Sequence, residues 1–555
     1  MRWAELPARL GARRRLSTAG GAIVALAGRP RLAVPGLLAA HWLLLLAFAL
    51  TVRHNGWLYY QGGDQIWYAT TAWELGEGDL PPTRIGYGWS VLLAPLMRVF
   101  GPGYVEAMPA VIALNALVLA PAALLAVYGI ANRLAGRLFA LWAGALWVAV
   151  PYLAIPLWRQ DYHERYVEQL LPQALGLSAL ADYPSTVFLL CAAYFVVRSL
   201  DEPGLAAPVL AGLLAGFAIG TKPANALFLA GPPLALALAR RPRALLAFGA
   251  ALVPAVVTLA LWKQRGLGSL PLFAYEEVRV AAGSTLAAAA DVGRYVDLDW
   301  GHLRQNLDEL REWFWSVRLL EWAPLAGALA VARRSVPVAA LLASWLAAFV
   351  VLKGTSHLAT VSSGSFFRYL MPAFPAYLLL AAAVPLLVPR VAEAVVRRWP
   401  PLPEPRLPRA ALVGTAVVLA LVPLALAGLA RPVARPDDLV LVNRILTPVD
   451  DDFELAIRPD GEARELRWET TGDRVFYRVY RTAAGGEDVT CTDGGGTGEC
   501  TLELLLLGTT REGRFRDGSP PPGSIYRVGR AANWRDDEAG GDVFAISPPL
   551  LDPAR

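Results

Sequence analysis

Charge is what this chain has least of. Asp, Glu, Lys and Arg together make up 17% of its 555 residues, where a soluble domain carries about 25%. Lysine is nearly missing and stands only at Lys222, Lys263 and Lys353. Cysteine occurs three times, as Cys191, Cys491 and Cys500, which excludes a disulfide-dense secreted scaffold and a cysteine-built metal site. The scarcity of charge excludes an ordinary soluble globule. Apolar stretches of roughly 17–25 residues recur along most of the length, the pattern of a transmembrane chain. The basic residues fall in short segments between these stretches and form no stripe, so nucleic acid is not an expected partner.

The formal charge of +5 conceals a split. From Pro436 onward there are 14 Arg against 23 Asp plus Glu, a balance of −9, which leaves +14 for the rest. The basic part faces anionic lipid, and the acidic part is a soluble unit. Residues 1–32 hold seven Arg and one acid, Glu5, which predicts a basic cytoplasmic N-terminal segment. Eleven spans follow, at about 33–53, 103–131, 138–157, 184–199, 205–220, 225–239, 244–262, 317–332, 336–353, 368–388 and 411–430. With the N-terminus inside, each expected inner loop is rich in Arg, and the tail emerges outside. Cys491 and Cys500 flank the turn-rich TDGGGTGE there, a spacing that suggests a disulfide in an oxidising compartment. Cys191 lies inside an apolar span and reads as packing. The expected location is the plasma membrane, multi-pass, with an extracytoplasmic C-terminal domain.

This topology gathers polar residues on the outer face. Asp64, Gln65, Tyr68, Arg84 and Tyr87 fall in a long outer loop, 54–102. Arg159, Asp161, His163, Glu164, Arg165 and Asp182 follow the third span, Lys222 lies at the turn after the fifth, and His357 and Arg368 flank the start of the tenth. Ionisable groups at a bilayer edge are costly unless hydrated, snorkelling or paired, so the set implies a polar cavity. Any one of these Arg taken alone reads better as an interfacial anchor, and only the set points to a cavity. RQDYHERY could ligate a divalent metal, but such loose spacing is common in solvated loops, and no metal or other cofactor is required.

The order of these residues resembles the GT-C superfamily of polytopic glycosyltransferases, in particular the branch of protein O-mannosyltransferases and aminoarabinose transferases. The resemblance covers about residues 33–430 and rests on DQIWYATTA, YGWSVLLAP, GFAIGTKPA and RYLMPAFPA. Gln65 stands where Glu is common in that pattern. The resemblance implies an α-helical polytopic membrane enzyme that takes sugar from a polyprenyl phosphate donor. The acceptor would be an extracytoplasmic hydroxyl on a glycan, lipid or protein. Asp64 would serve as general base, with inversion of the anomeric centre. Lys222 and Arg368 would face the donor phosphate, and Asp182 would be a second catalytic acid. Both Asp64 and Asp182 also suit helix capping.

The tail, 436–555, has strand-like alternation in VFYRVY and turns rich in Gly, Pro and Asp. It resembles a fibronectin type III β-sandwich, with Trp468 as a buried strand tryptophan and Tyr526 as a corner tyrosine. Two other functions fit a polytopic membrane chain. A transporter or flippase of lipid-linked sugars would need midplane charges and broken helices in symmetric halves, and neither is visible. A non-catalytic scaffold for cell-envelope glycan assembly would not need Asp64, Lys222 and Arg368.

Overall fold

A computed structural model describes every residue except 1–28, 52–63, 81–84, 101–103, 154–169, 268–297, 314–318, 363, 399, 403–406, 433–438, 443–444, 472–474, 483–489, 493–498, 502–503, 532–542 and 553–555. Arg84, His163 and the RQDYHERY cluster therefore lie outside the described residues. In chain order the helices are α1 (Pro30–Thr51), α2 (Asp64–Glu77), α3 (Tyr87–Phe100), α4 (Ala107–Ala135), α5 (Arg137–Leu153), α6 (Asp182–Asp201), α7 (Ala206–Thr221) and α8 (Pro223–Leu238). They continue with α9 (Pro242–Gly266), α10 (Trp300–Trp313), α11 (Leu319–Ala332), α12 (Val336–Gly354), α13 (Ser365–Ala382), α14 (Pro389–Arg398) and α15 (Arg409–Leu429).

Seven of these, α1, α4, α6, α9, α12, α13 and α15, are long and apolar enough to cross a membrane. The other four expected spans fall on shorter apolar helices, α5, α7, α8 and α11. The expected outer loop at 54–102 is in large part helical: it holds α2, the helix that Asp64 was expected to cap, and also α3. The sequence YGWSVLLAPLMRVF is apolar on most sides, and Tyr87, Trp89, Leu93 and Met97 are fully buried in the helical core. It packs as part of the bundle.

Small residues set how closely the helices approach. Gly212, Gly216 and Gly220 recur every fourth residue on α7, a spacing that puts them on one face. A Cβ at Gly212 would stand 2.4 Å from the Phe248 carbonyl oxygen, and one at Gly216 would stand 2.7 Å from the Ala255 methyl. Both neighbours belong to α9. The third glycine receives the Tyr87 ring instead, at 2.3 Å from where its Cβ would be. Glycine at 86 is equally confined, since a Cβ there would meet the Gly220 carbonyl oxygen at 2.2 Å. Trp262 and Lys263 donate to the Ile85 carbonyl at 3.1 and 3.0 Å and hold that strand of chain in place. The motifs YGW and GTK thus meet as one packed unit, just before Lys222.

The two ends of the bundle differ in chemistry. At one end, residues of the expected inner loops converge. Arg133 reaches Asp201 at 3.2 Å and Glu202 at 2.7 Å. Arg241 donates to the Leu200 carbonyl at 2.9 Å and Arg137 to the Pro400 carbonyl at 3.2 Å. Partial burial pushes the Glu202 carboxyl up, but Arg198 and Arg133 outweigh it and hold it below the usual carboxylate range. The other end carries the residues expected outside.

The tail is a two-layer β unit. One sheet has the order β11-β6-β5, from β11 (Arg514–Asp517), β6 (Ala463–Trp468) and β5 (Leu455–Asp460). The second has the order β10-β7-β12-β13, from β10 (Leu504–Thr510), β7 (Phe476–Thr482), β12 (Ile525–Ala531) and β13 (Val543–Ile546). Leu466 and Trp468 of the first sheet share a core with Tyr477, Val479, Tyr526 and Val528 of the second. Burial is the largest push raising the Tyr526 phenol, and its hydrogen bond to Asp517, at 2.8 Å, adds to it. A hairpin of β8 (Thr490–Thr492) and β9 (Glu499–Thr501) branches off between β7 and β10, and its ladder sets Cys491 opposite Cys500. Ahead of the unit, a short parallel pair, β1 (Asp79–Leu80) with β2 (Arg431–Pro432), joins the chain that leaves α2 to the chain that leaves α15, and there Arg431 grips Asp79 with two hydrogen bonds of 3.0 Å.

Candidate functional site

The site grows out of the start of α6. Asp182 is the first residue of that helix, and its backbone carbonyl accepts from the hydroxyls of Ser185 (3.0 Å) and Thr186 (2.8 Å). The N-cap position belongs to Ala181, which leaves the Asp182 carboxylate to other partners. That carboxylate turns to two cations that arrive from distant parts of the chain. Lys222, in the extended residue that ends α7, donates from Nζ to Oδ1. Arg368, in the first turns of α13, donates from Nε to Oδ2 at 3.2 Å. The Asp182 side chain is 2% exposed, against 18% for Lys222 and 28% for Arg368. The acid is the buried floor and the cations form its accessible face.

A third cation joins them. Lys353, buried at the end of α12, lies with its Nζ 5.7 Å from the centre of the Tyr369 ring. Lys222 stands 5.6 Å from the same ring. One aromatic ring thus attracts two ammonium groups, which helps offset their mutual repulsion. Among the described residues the cluster holds three cations and one carboxylate. Such a cluster at the edge of an apolar bundle is suited to a dianion. Neither Lys353 nor Tyr369 was among the residues expected from sequence. The signal was the rarity of lysine: two of the three in the chain meet here, and the third is the structural Lys263.

The helix that begins at Asp64 is fastened beside this cluster. Gln65, buried, accepts from the Ala179 amide at 2.7 Å, three residues before Asp182. Tyr68, also buried, donates its hydroxyl to the Thr221 carbonyl at 3.4 Å, one residue before Lys222. Trp89 donates to the Ala179 carbonyl at 2.7 Å. These bonds give Gln65 and Tyr68 positioning roles and set the first turn of α2 against the segments that carry Asp182 and Lys222. The side chain of Asp64 itself lies outside the described residues. Tyr87 is fully buried against Phe217 and Trp262, with ring centres 6.1 and 6.3 Å away, and serves packing. His357 is exposed in the turn after α12.

No protein-family model matches the chain, and no curated protein does. Among solved structures it is similar to the oligosaccharyltransferase of Archaeoglobus fulgidus in complex with zinc and sulfate, with 16% identity over 68% of this chain and 50% of that one and a TM-score of 0.37. It is similar to the oligosaccharyltransferase AglB of the same organism, in complex with an inhibitory peptide and a dolichol-phosphate, at 16% identity, 74% and 57% coverage, and TM-score 0.38. It is also similar to ArnT from Cupriavidus metallidurans in the apo state, at 17% identity, 71% and 75% coverage, and TM-score 0.34. The chain spans about half the length of the first two.

Proposed function

We propose that this protein is a membrane glycosyltransferase that moves a sugar from a polyprenyl-phosphate donor to the hydroxyl of an extracytoplasmic glycan, lipid or protein. The observation that carries the reading is the pairing of Lys222 and Arg368 with Asp182, with Lys353 at the Tyr369 ring that Lys222 also approaches, placed next to the helix that starts at Asp64. Displacement at the anomeric carbon forms a bond to the acceptor oxygen and breaks the bond to the phosphate oxygen. The acceptor proton goes to Asp64 as general base. The leaving lipid phosphate passes from a singly charged diester toward a doubly charged monoester. The cations of the cluster suit that product better than the reactant, which is the differential stabilisation catalysis needs. Arg368 offers a planar fork for two phosphate oxygens, and the lysines offer point charges. Asp182, held by two cations, serves as their counter-ion and keeps them in register. The motifs of the GT-C pattern agree with this assignment.

The tail's strand order, with Trp468 and Tyr526 in its core, supports reading it as a fibronectin type III-like domain. A module of this kind serves acceptor binding or spacing.

The test is release of polyprenyl phosphate by purified protein in lipid nanodiscs, offered a panel of polyprenyl-phosphate hexoses and pentoses. Asp64→Asn is expected to lower turnover by ~100-fold or more, the size of a general-base contribution. Lys353→Met is expected to raise the donor KM. Wild-type turnover by Asp64→Asn with an active donor would overturn the base assignment.

A further inference from the structure

At the arginine-rich end, remote from the site above, a cavity of about 470 Å³ opens between the ends of α4 and α6 and the turn that joins α11 to α12. Arg133, Asp201, Arg333 and Arg334 line it, with Leu134 and Val338 among its apolar walls. Arg133 is matched by Asp201. The other two arginines have no carboxylate partner among the described residues. Arg333 donates from Nη1 to the Leu387 carbonyl at 3.1 Å, and Arg334 donates from Nε to the Leu134 carbonyl at 3.1 Å. Each bond uses part of a guanidinium fork and leaves other N–H groups for an anion.

The surroundings say which anion. Leu329, one turn before Arg333, is 64% exposed, and Val336, just after the turn, is 55% exposed. Apolar side chains this open on a membrane helix face lipid. The two arginines therefore stand where the lipid-facing surface ends, at headgroup height, and the cavity behind them has both cationic and apolar walls. We propose that this cavity binds the phosphate headgroup of an anionic phospholipid, gripped by Arg333 and Arg334, with the acyl chains lying along α11. The inference goes beyond the glycosyltransferase reading and does not depend on it.

The experiment titrates the full-length protein in detergent with phosphatidylglycerol or phosphatidylcholine and counts retained lipids by native mass spectrometry. Wild type is expected to retain phosphatidylglycerol over phosphatidylcholine. The double variant Arg333→Gln/Arg334→Gln is expected to weaken phosphatidylglycerol binding about 30-fold, from two basic groups at the membrane surface. The double variant Arg333→Lys/Arg334→Lys is expected to keep most of the binding, and Arg243→Gln, an exposed arginine at the same end, all of it. Equal retention of the two lipids by wild type overturns the proposal whether or not the variants fold. So does unchanged binding in the Gln pair. Inorganic phosphate that binds while phosphatidylglycerol does not would overturn the lipid assignment in favour of a free anion.

Discussion

A carboxylate gripped on both oxygens is a poor base and a good anchor, and Asp182 is gripped by Lys222 on one and Arg368 on the other. Removing its charge leaves two cations crowded together at the end of an apolar bundle. Deleting one partner of a buried ion group costs about 3–5 kcal/mol, and partial exposure of the two cations places this case at the lower end. Asp182→Asn is therefore expected to lower the thermal midpoint of the purified protein clearly. Adding Lys222→Met to it should restore part of the loss, because the two changes share one interaction. An Asp182→Asn protein as stable as wild type would show that the pairing contributes little. The acid and two of its cations were legible in sequence, since each interrupts or borders an apolar run. Lys353 was not. A lysine that ends a span usually snorkels to the interface, and VVLKGTSH does not say that the next helix turns back and brings Tyr369 over it.

Glycine spacing does for the helices what ionic pairing does for the site. The stripe Gly212, Gly216, Gly220 lets α9 and the Tyr87 ring lie against α7, and Gly86 completes the contact from the other side. A methyl at 86 would press on the Gly220 and Thr221 carbonyls at 2.2 and 2.4 Å, both backbone atoms that cannot swing away. Overpacking costs about 1–3 kcal/mol. Gly86→Ala is expected to lower stability by that order and to reduce turnover as well, because the displaced residues lead directly into Lys222. Loss of stability with turnover and donor KM unchanged would separate this packing from the site. The positions of the helices were readable from hydropathy; their lengths were less so. Each of the eleven expected spans falls on a helix, but only seven of these helices are long and apolar enough to cross a membrane, α5, α7, α8 and α11 are shorter, and α3 lay hidden in what reads as a loop. Hydropathy reports burial without saying whether lipid or protein does the burying, and α3 is buried by protein.

At the scale of the whole molecule, the tail tests the sidedness. If β8 and β9 lie outside the membrane, Cys491 and Cys500, set opposite each other, are expected to be joined in protein isolated from cells. The loop is short, so its closure should contribute only about 2–3 kcal/mol, confined to the tail. An impermeant thiol reagent on intact spheroplasts should label the pair only after reduction and leave Cys191 unlabelled. Free thiols reached only after permeabilisation would reverse the topology. The tail's strand pattern was foreseeable from alternation and turn chemistry, and the burial of Trp468 and Tyr526 from the resemblance to a fibronectin type III module. The contact of Asp79 with Arg431, where the chain leaves the bundle toward the tail, was not, because the two residues are 352 positions apart. One helix joins the two polar ends directly. The 20 residues of α6 carry Asp182 at the first position and Asp201 at the last, about 30 Å apart at 1.5 Å per residue. That is about the thickness of a bilayer's hydrocarbon core. The rod acts as a ruler: in a thinner bilayer it must tilt, in a thicker one the lipid must thin around it, and either bears on the ionic contacts at both ends. Turnover measured across phosphatidylcholine vesicles of increasing acyl length is expected to peak near the matching thickness and fall on either side. A flat profile would mean that the ends of α6 yield independently, and that its length sets neither headgroup plane.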